Sequence, residues 1–181
     1  NLGGVAPSPD GKTILFSVDG TLMRIVSGEP EPLKGAPKGA SSVRWSPDGK
    51  RIAYLRDGAI WTFDVRSGNA TRVCDYRHSN AFLSKSGNVL AWSPDGTELA
   101  FAGTLEPAMP PQDPIVITRI LYKGRTALAD NRRTHVYVVP AGGGQPRALT
   151  TGSYDEHSID WGGDGKEVIF LSNHEREPDG K

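Results

Sequence analysis

The chain has one cysteine, Cys74, among 181 residues, so it can build no internal disulfide and no thiolate metal cluster. It also lacks an excess of charge. The 21 basic and 21 acidic residues cancel, and the longest cationic cluster is the short run NRRTH at 131–135. That excludes the broad basic surface on which nucleic-acid binding depends. No apolar run approaches the about 20 residues of a membrane-spanning helix. No window holds a 3.6-residue apolar period for three turns, so helix has no place to form. The opening residues NLGGVAPSPDG have neither the basic start nor the apolar stretch of a secretory signal. A single cysteine fits a reducing compartment, and the cytoplasm is the expected location. No cofactor and no membrane partner are expected.

What the chain does have is turn chemistry. Its 22 Gly and 14 Pro make about a fifth of the residues, and one motif recurs: SPDGK at 8–12, SPDGK at 46–50, SPDGT at 93–97 and a worn GGDGK at 162–166. Aligned on Asp10, Asp48, Asp95 and Asp164, the copies stand 38, 47 and 69 residues apart. The first two spacings bracket the about 40–50 residues of one propeller blade, and the third is a blade plus an insertion at about 104–132. Each copy is followed by a strand-like stretch (TILFS, RIAYL, ELAFA, EVIFLS), and the later three are preceded by VRWS, LAWS and IDWG. Both flanks are alternating, β-branched or aromatic, so the motif links a β-hairpin.

Each letter has a task in that link. Pro9, Pro47 and Pro94 preset φ near −65° at the second turn position, the aspartates accept local N–H bonds, and Gly11, Gly49, Gly96 and Gly165 supply a positive φ. These aspartates read as turn residues, not catalytic ones. Trp45, Trp92 and Trp161 hold one position before the turn, with Ala6 read as its counterpart in the first copy. A flat side chain at a fixed place in each unit suits packing between blades. Further strands follow (GTLMRIV, GAIWTFDV, RTHVYVV), then glycine turns and short outer strands, each with one aliphatic expected to be buried: Leu33, Val73 and Leu149.

The expected architecture is therefore all-β, a fragment of a propeller of four-stranded blades occupying 1–181, with about three and a half blades present. A half ring exposes two apolar end faces, and the remaining blades are expected as partners. The start without Met, close to a repeat, reads as a piece of something longer.

WSPDGKRIAY and its relatives resemble the repeats of TolB-type propellers and of the propeller domain in the prolyl oligopeptidase family of serine peptidases. The segment after Gly103 resembles the middle blades of that family's acylaminoacyl peptidase and dipeptidyl aminopeptidase branch. The matching residues are Thr118, Arg119, Tyr122 and Lys123; then Arg133, His135, Tyr137, Val138 and Val139. Gly143, Gly144, Pro146, Arg147, Leu149 and Thr150 follow, and then Tyr154 and Asp155. The resemblance implies a non-catalytic propeller that gates peptide access and docks an α/β-hydrolase domain. No G-x-S-x-G elbow occurs here, so the catalytic serine is expected on a domain outside this sequence. The alternative is a TolB-like, non-enzymatic propeller that binds protein partners, for which a periplasmic location is expected.

Three groups merit scrutiny as sites. Arg132, Arg133 and His135 could bind a substrate carboxylate or salt-bridge a partner domain, against a solvated loop running into a strand. Asp155, Glu156 and His157 offer metal-ligating atoms at a spacing that matches no zinc or calcium signature, and no metal is expected. Cys74 reads as a small hydrophobe, and His78 as a surface residue of an extension between blades.

Overall fold

A computed structural model describes residues 2–77, 87–106, 132–172 and 174. The insertion between 106 and 132, with Thr118, Arg119, Tyr122 and Lys123, lies outside the described residues, as does His78. Among the described residues there are fourteen strands and no helix.

The first sheet comprises β1 (Leu2–Pro7), β2 (Ile14–Val18), β3 (Thr21–Ile25) and β4 (Glu31–Pro32). The second comprises β5 (Ser41–Trp45), β6 (Arg51–Arg56), β7 (Ala59–Asp64) and β8 (Ala70–Asp75). The third comprises β9 (Leu90–Trp92), β10 (Glu98–Gly103), β11 (His135–Pro140) and β12 (Arg147–Ala148). The fourth pairs β13 (Glu156–Trp161) with β14 (Val168–Ser172). Every neighbouring pair is antiparallel and consecutive in sequence, so each sheet is a meander. Three full blades and half of a fourth form a partial propeller. The first strands of successive blades touch (β1 with β5, β5 with β9, β9 with β13), while the fourth strands make no comparable contact. First strands therefore converge on the axis and fourth strands lie at the rim.

Alternation along the second strands explains how blades stack. On β6, Ile52 and Tyr54 pack toward blade one while Ala53 and Leu55 pack toward blade three. On β10, Leu99 and Phe101 face blade two while Ala100 and Ala102 face blade four. With one residue in two pointing each way, every internal blade is apolar on both faces. Each fully buried Leu or Ile in these layers contributes about 1.5–3 kcal/mol. At the two ends the same alternation has nothing to meet. Ile14 and Val18 on blade one and Ile169 and Leu171 on blade four are exposed, the last two by 57% and 58%.

The four repeated motifs are reverse turns between first and second strands. Ser46 O accepts Gly49 N–H at 2.9 Å and Gly49 has φ 67°, as in a type I turn closed by a left-handed glycine. The turns also lie side by side. A Cβ added at Gly49 would stand 3.8 Å from Pro9 Cδ, at Gly96 3.7 Å from Pro47 Cδ, and at Gly165 3.5 Å from Pro94 Cδ. The recurring Pro of one blade thus sits beside the recurring Gly of the next. In the worn copy Gly163 replaces Pro, and the turn still closes, with Gly165 N–H donating to Gly162 O at 3.0 Å.

Two expectations need correction. Leu149 is 40% exposed instead of buried, because the blade it faces has only two strands among the described residues, and neither reaches the rim. Leu33 and Val73 are buried as expected. The first-copy counterpart of the tryptophans is Pro7, not Ala6. Pro7 pairs with Ile14 as Trp45 pairs with Ile52, Trp92 with Leu99 and Trp161 with Val168.

Candidate functional site

Strand direction sorts the connections onto two faces. The reverse turns and the third-to-fourth-strand links share one face. The second-to-third-strand links and the blade-to-blade loops share the other. The insertion is bracketed by Gly103 and His135, which are register partners at the end of the β10–β11 hairpin on the second face. Thr104 N–H donates to Arg77 O at 3.0 Å, which ties the outgoing root to the preceding blade-to-blade loop.

The returning root is held by the entry into blade four. Asp155 accepts Thr134 N–H at 2.8 Å and Arg133 Nη1–H at 2.9 Å. Glu156 N–H donates to Thr134 O at 2.9 Å. One residue further in, His135 Nδ1 lies 2.9 Å from Glu156 Oε2, and Thr150 Oγ1–H donates to the same oxygen at 3.0 Å. Thr150 Oγ1 also accepts Val136 N–H at 2.9 Å. Asp155, Glu156, His135 and Thr134 are buried, and Arg133 is partly exposed. Carboxylates buried between blades therefore find charged or hydrogen-bonding partners, as burial requires. Above them, exposed Tyr154 stacks on His174, centroids 4.2 Å apart and planes 5° from parallel.

The structure thus brings Arg133 and His135 together with Asp155 and Glu156, two groups that stand apart in the sequence. The stretch before β11 is not simply a solvated loop, since Thr134 is buried and Arg133 is paired with Asp155. Arg132 lies apart, with Nη1 3.4 Å from Glu106 O. Among the described residues no three His, Cys, Asp or Glu side chains converge as metal ligands.

On β13, His157 Nδ1 lies 2.7 Å from Ser158 Oγ, and Ser158 has φ 55°. A serine beside an imidazole on strained backbone resembles an activated nucleophile. The same positive φ recurs at Ser42, φ 51°, in the matching bulge of blade two, so the strain belongs to the bulge. Cys74 is buried in the layer between blades two and three, and burial, reinforced by Asp75, pushes its thiol up to about 11. That disfavours the thiolate, the form that acts as a nucleophile. Asp10, Asp48 and Asp95 are each held below the usual carboxylate value, first by the serine hydroxyl two residues before and then by the following N–H groups.

The sequence family described as "Dipeptidyl peptidase IV (DPP IV) N-terminal region" matches residues 8–113, more than half of the chain. Solved structures of the same fold include an acylaminoacyl peptidase of Pyrococcus horikoshii (16% identity, 93% of this chain and 27% of that one, TM-score 0.64). Another is dipeptidyl peptidase 4 of Porphyromonas gingivalis (14%, 95% and 29%, TM-score 0.61). A third is TolB of Acinetobacter baumannii (19%, 100% and 39%, TM-score 0.60). The chain spans about half or less of the length of the solved proteins it resembles. No curated protein sequence matches it.

Proposed function

Because the chain belongs to the family of the dipeptidyl peptidase IV N-terminal region, we propose that it forms the non-catalytic propeller part of a serine peptidase of the acylaminoacyl or dipeptidyl type. The family match carries this reading. In it, the propeller narrows the route by which peptides reach a hydrolase domain, and its insertion face docks that domain. The insertion root supports the choice of face, because Arg133–Asp155 and His135–Glu156 brace it against blade four. A rigid base is what a loop needs to hold a partner or a peptide in register. The exposed apolar faces of blades one and four supply surfaces for further blades to cover. A cytoplasmic location rests on the single cysteine.

A second reading, a TolB-like propeller that binds proteins and catalyses nothing, is favoured by the likeness to TolB structures, whose TM-scores of 0.60 and 0.62 fall in the range of the peptidases. The test is direct. The full-length protein is treated with a fluorophosphonate serine probe and assayed on aminoacyl, acyl-aminoacyl and dipeptidyl chromogenic substrates. Labelling with hydrolysis supports the peptidase. Neither one, from a folded preparation, supports the binding propeller.

A further inference from the structure

The position just before the tryptophan points each first strand toward the next blade. It is Ala6 in blade one, Arg44 in blade two, Ala91 in blade three and Asp160 in blade four. Ala6 and Ala91 are buried against their neighbours, as tight stacking near the axis demands. Arg44 breaks that pattern with a long cation on an innermost strand.

The surroundings of Arg44 come from all four blades. Nη1 donates to Val43 O at 2.8 Å, and Nη2 donates to Asn88 Oδ1, just ahead of β9. Gly4 of β1 faces it without a side chain, and a Cβ there would come 4.0 Å from Nη1. Asp160 of β13 adds a favourable charge interaction at longer range. A residue reached from four blades at once stands where the first strands converge on the axis.

The chemistry of this cation is incomplete. Both of its hydrogen bonds go to neutral acceptors, and among the described residues no carboxylate lies within ion-pair distance of it. Partial burial disfavours its charged form more than any other influence on it. A guanidinium taken partly out of water with no carboxylate in direct contact is costly, and it has five N–H donors arranged in a planar fork that matches a carboxylate. The missing side chain at Gly4 leaves room beside that fork.

We propose that Arg44 is an anion-binding residue of the axial channel and takes a carboxylate carried by a peptide. That the carboxylate belongs to a peptide rests on the peptidase reading above; that the site takes a carboxylate rests on Arg44 itself. The carboxylate is either the peptide C-terminus or an Asp or Glu side chain, and both present the same two oxygens. Arg44 would favour acidic or free-ended segments among those entering the channel.

The test measures binding of three dansyl peptides to the full-length protein by fluorescence anisotropy: Ala-Ala-Ala with a free C-terminus, its C-terminal amide, and amidated Ala-Asp-Ala. Either acid peptide should bind about tenfold or more tighter than the neutral amide, and which one does so identifies the source. Arg44→Gln should abolish the preference while leaving the weak binding of the neutral amide. Arg44→Lys should retain part of it, without the planar fork. Equal affinity for all three peptides, no binding of any, or a preference that survives in Arg44→Gln would overturn the proposal. If Arg44 serves only to strut Asn88, Asn88→Ala and Arg44→Gln will lower the thermal midpoint alike and neither will touch selectivity. Fluorophosphonate labelling of the same preparation reads the peptidase separately. A carboxylate preference in a protein that takes no label would sink that reading and leave Arg44 as an anion site.

Discussion

Trp92 donates its indole N–H to the carbonyl of Arg44 one blade away, at 3.1 Å. Trp45 does the same to Ala6 at 3.2 Å. Ala6 and Arg44 occupy matching places, so the bond is a repeated rivet between innermost strands. The third tryptophan departs from the pattern: Trp161 Nε1 is buried and has no partner among the described residues.

That difference separates two conservative substitutions. Trp92→Phe keeps a large ring in the layer but leaves Arg44 O without its donor, and should cost about 1–2 kcal/mol. Trp161→Phe removes an unpaired buried N–H and should cost less than half as much. Urea unfolding of both variants checks this, and equal losses would refute it.

Ser46 is fully buried, donates to Asp48 Oδ1 at 2.6 Å and accepts Arg51 N–H at 2.9 Å. Ser46→Ala strands that N–H and should destabilise by about 1–3 kcal/mol. The three serine–aspartate pairs also set an acid response. Asp10, Asp48 and Asp95 lose their protons more readily in the folded chain than at the usual 3.8. The stability they add is whole above the unfolded value and disappears as pH falls through their depressed folded values. The thermal midpoint should therefore drop as pH goes below 3.8, and the drop should be shallower when Ser8, Ser46 and Ser93 are all alanine.

The worn turn can be repaired. Gly163 lies in open space, has no positive φ, and stands where the other three copies have Pro. Gly163→Pro should stabilise by about 0.4–1 kcal/mol, chiefly by stiffening the unfolded chain. A midpoint that falls would show that this turn differs in backbone from its siblings.

Gly87 has φ 92°, and a methyl there would overlap Ser158 Oγ and come 2.9 Å from Ser158 Cα across the junction of blades three and four. Gly87→Ala should cost about 2–3 kcal/mol, from strain and displaced backbone together. Differential scanning calorimetry checks it; a loss below 0.5 kcal/mol would mean that the two first strands separate easily.

The turns, the strand alternation and the blade count were legible because their causes are local. Pro, Asp and Gly act within four residues, and a period of two is visible in any six. The cluster at the insertion root was not, because Arg133 and Asp155 are 22 residues apart and meet only once blades stack. A signal existed: in a meander, the loop entering one blade lies beside the second hairpin of the blade before, which puts residue 133 near residue 155. Arg44 was missed for a simpler reason. Setting Ala6 against the tryptophans shifts the first copy by one residue and hides the column in which an arginine replaces alanine.

The pairing of Gly103 with His135 has a further consequence. The hairpin that carries the insertion closes at its base, on the face away from the stacked Pro–Gly turns. Because that base and the turns lie on opposite faces, lengthening or shortening the loop beyond it should leave the turn contacts in place. One side of the molecule can thus be rewritten by evolution or by an engineer while the other keeps the gauge of the ring. A foreign peptide grafted there would ride on a frame that does not register the change.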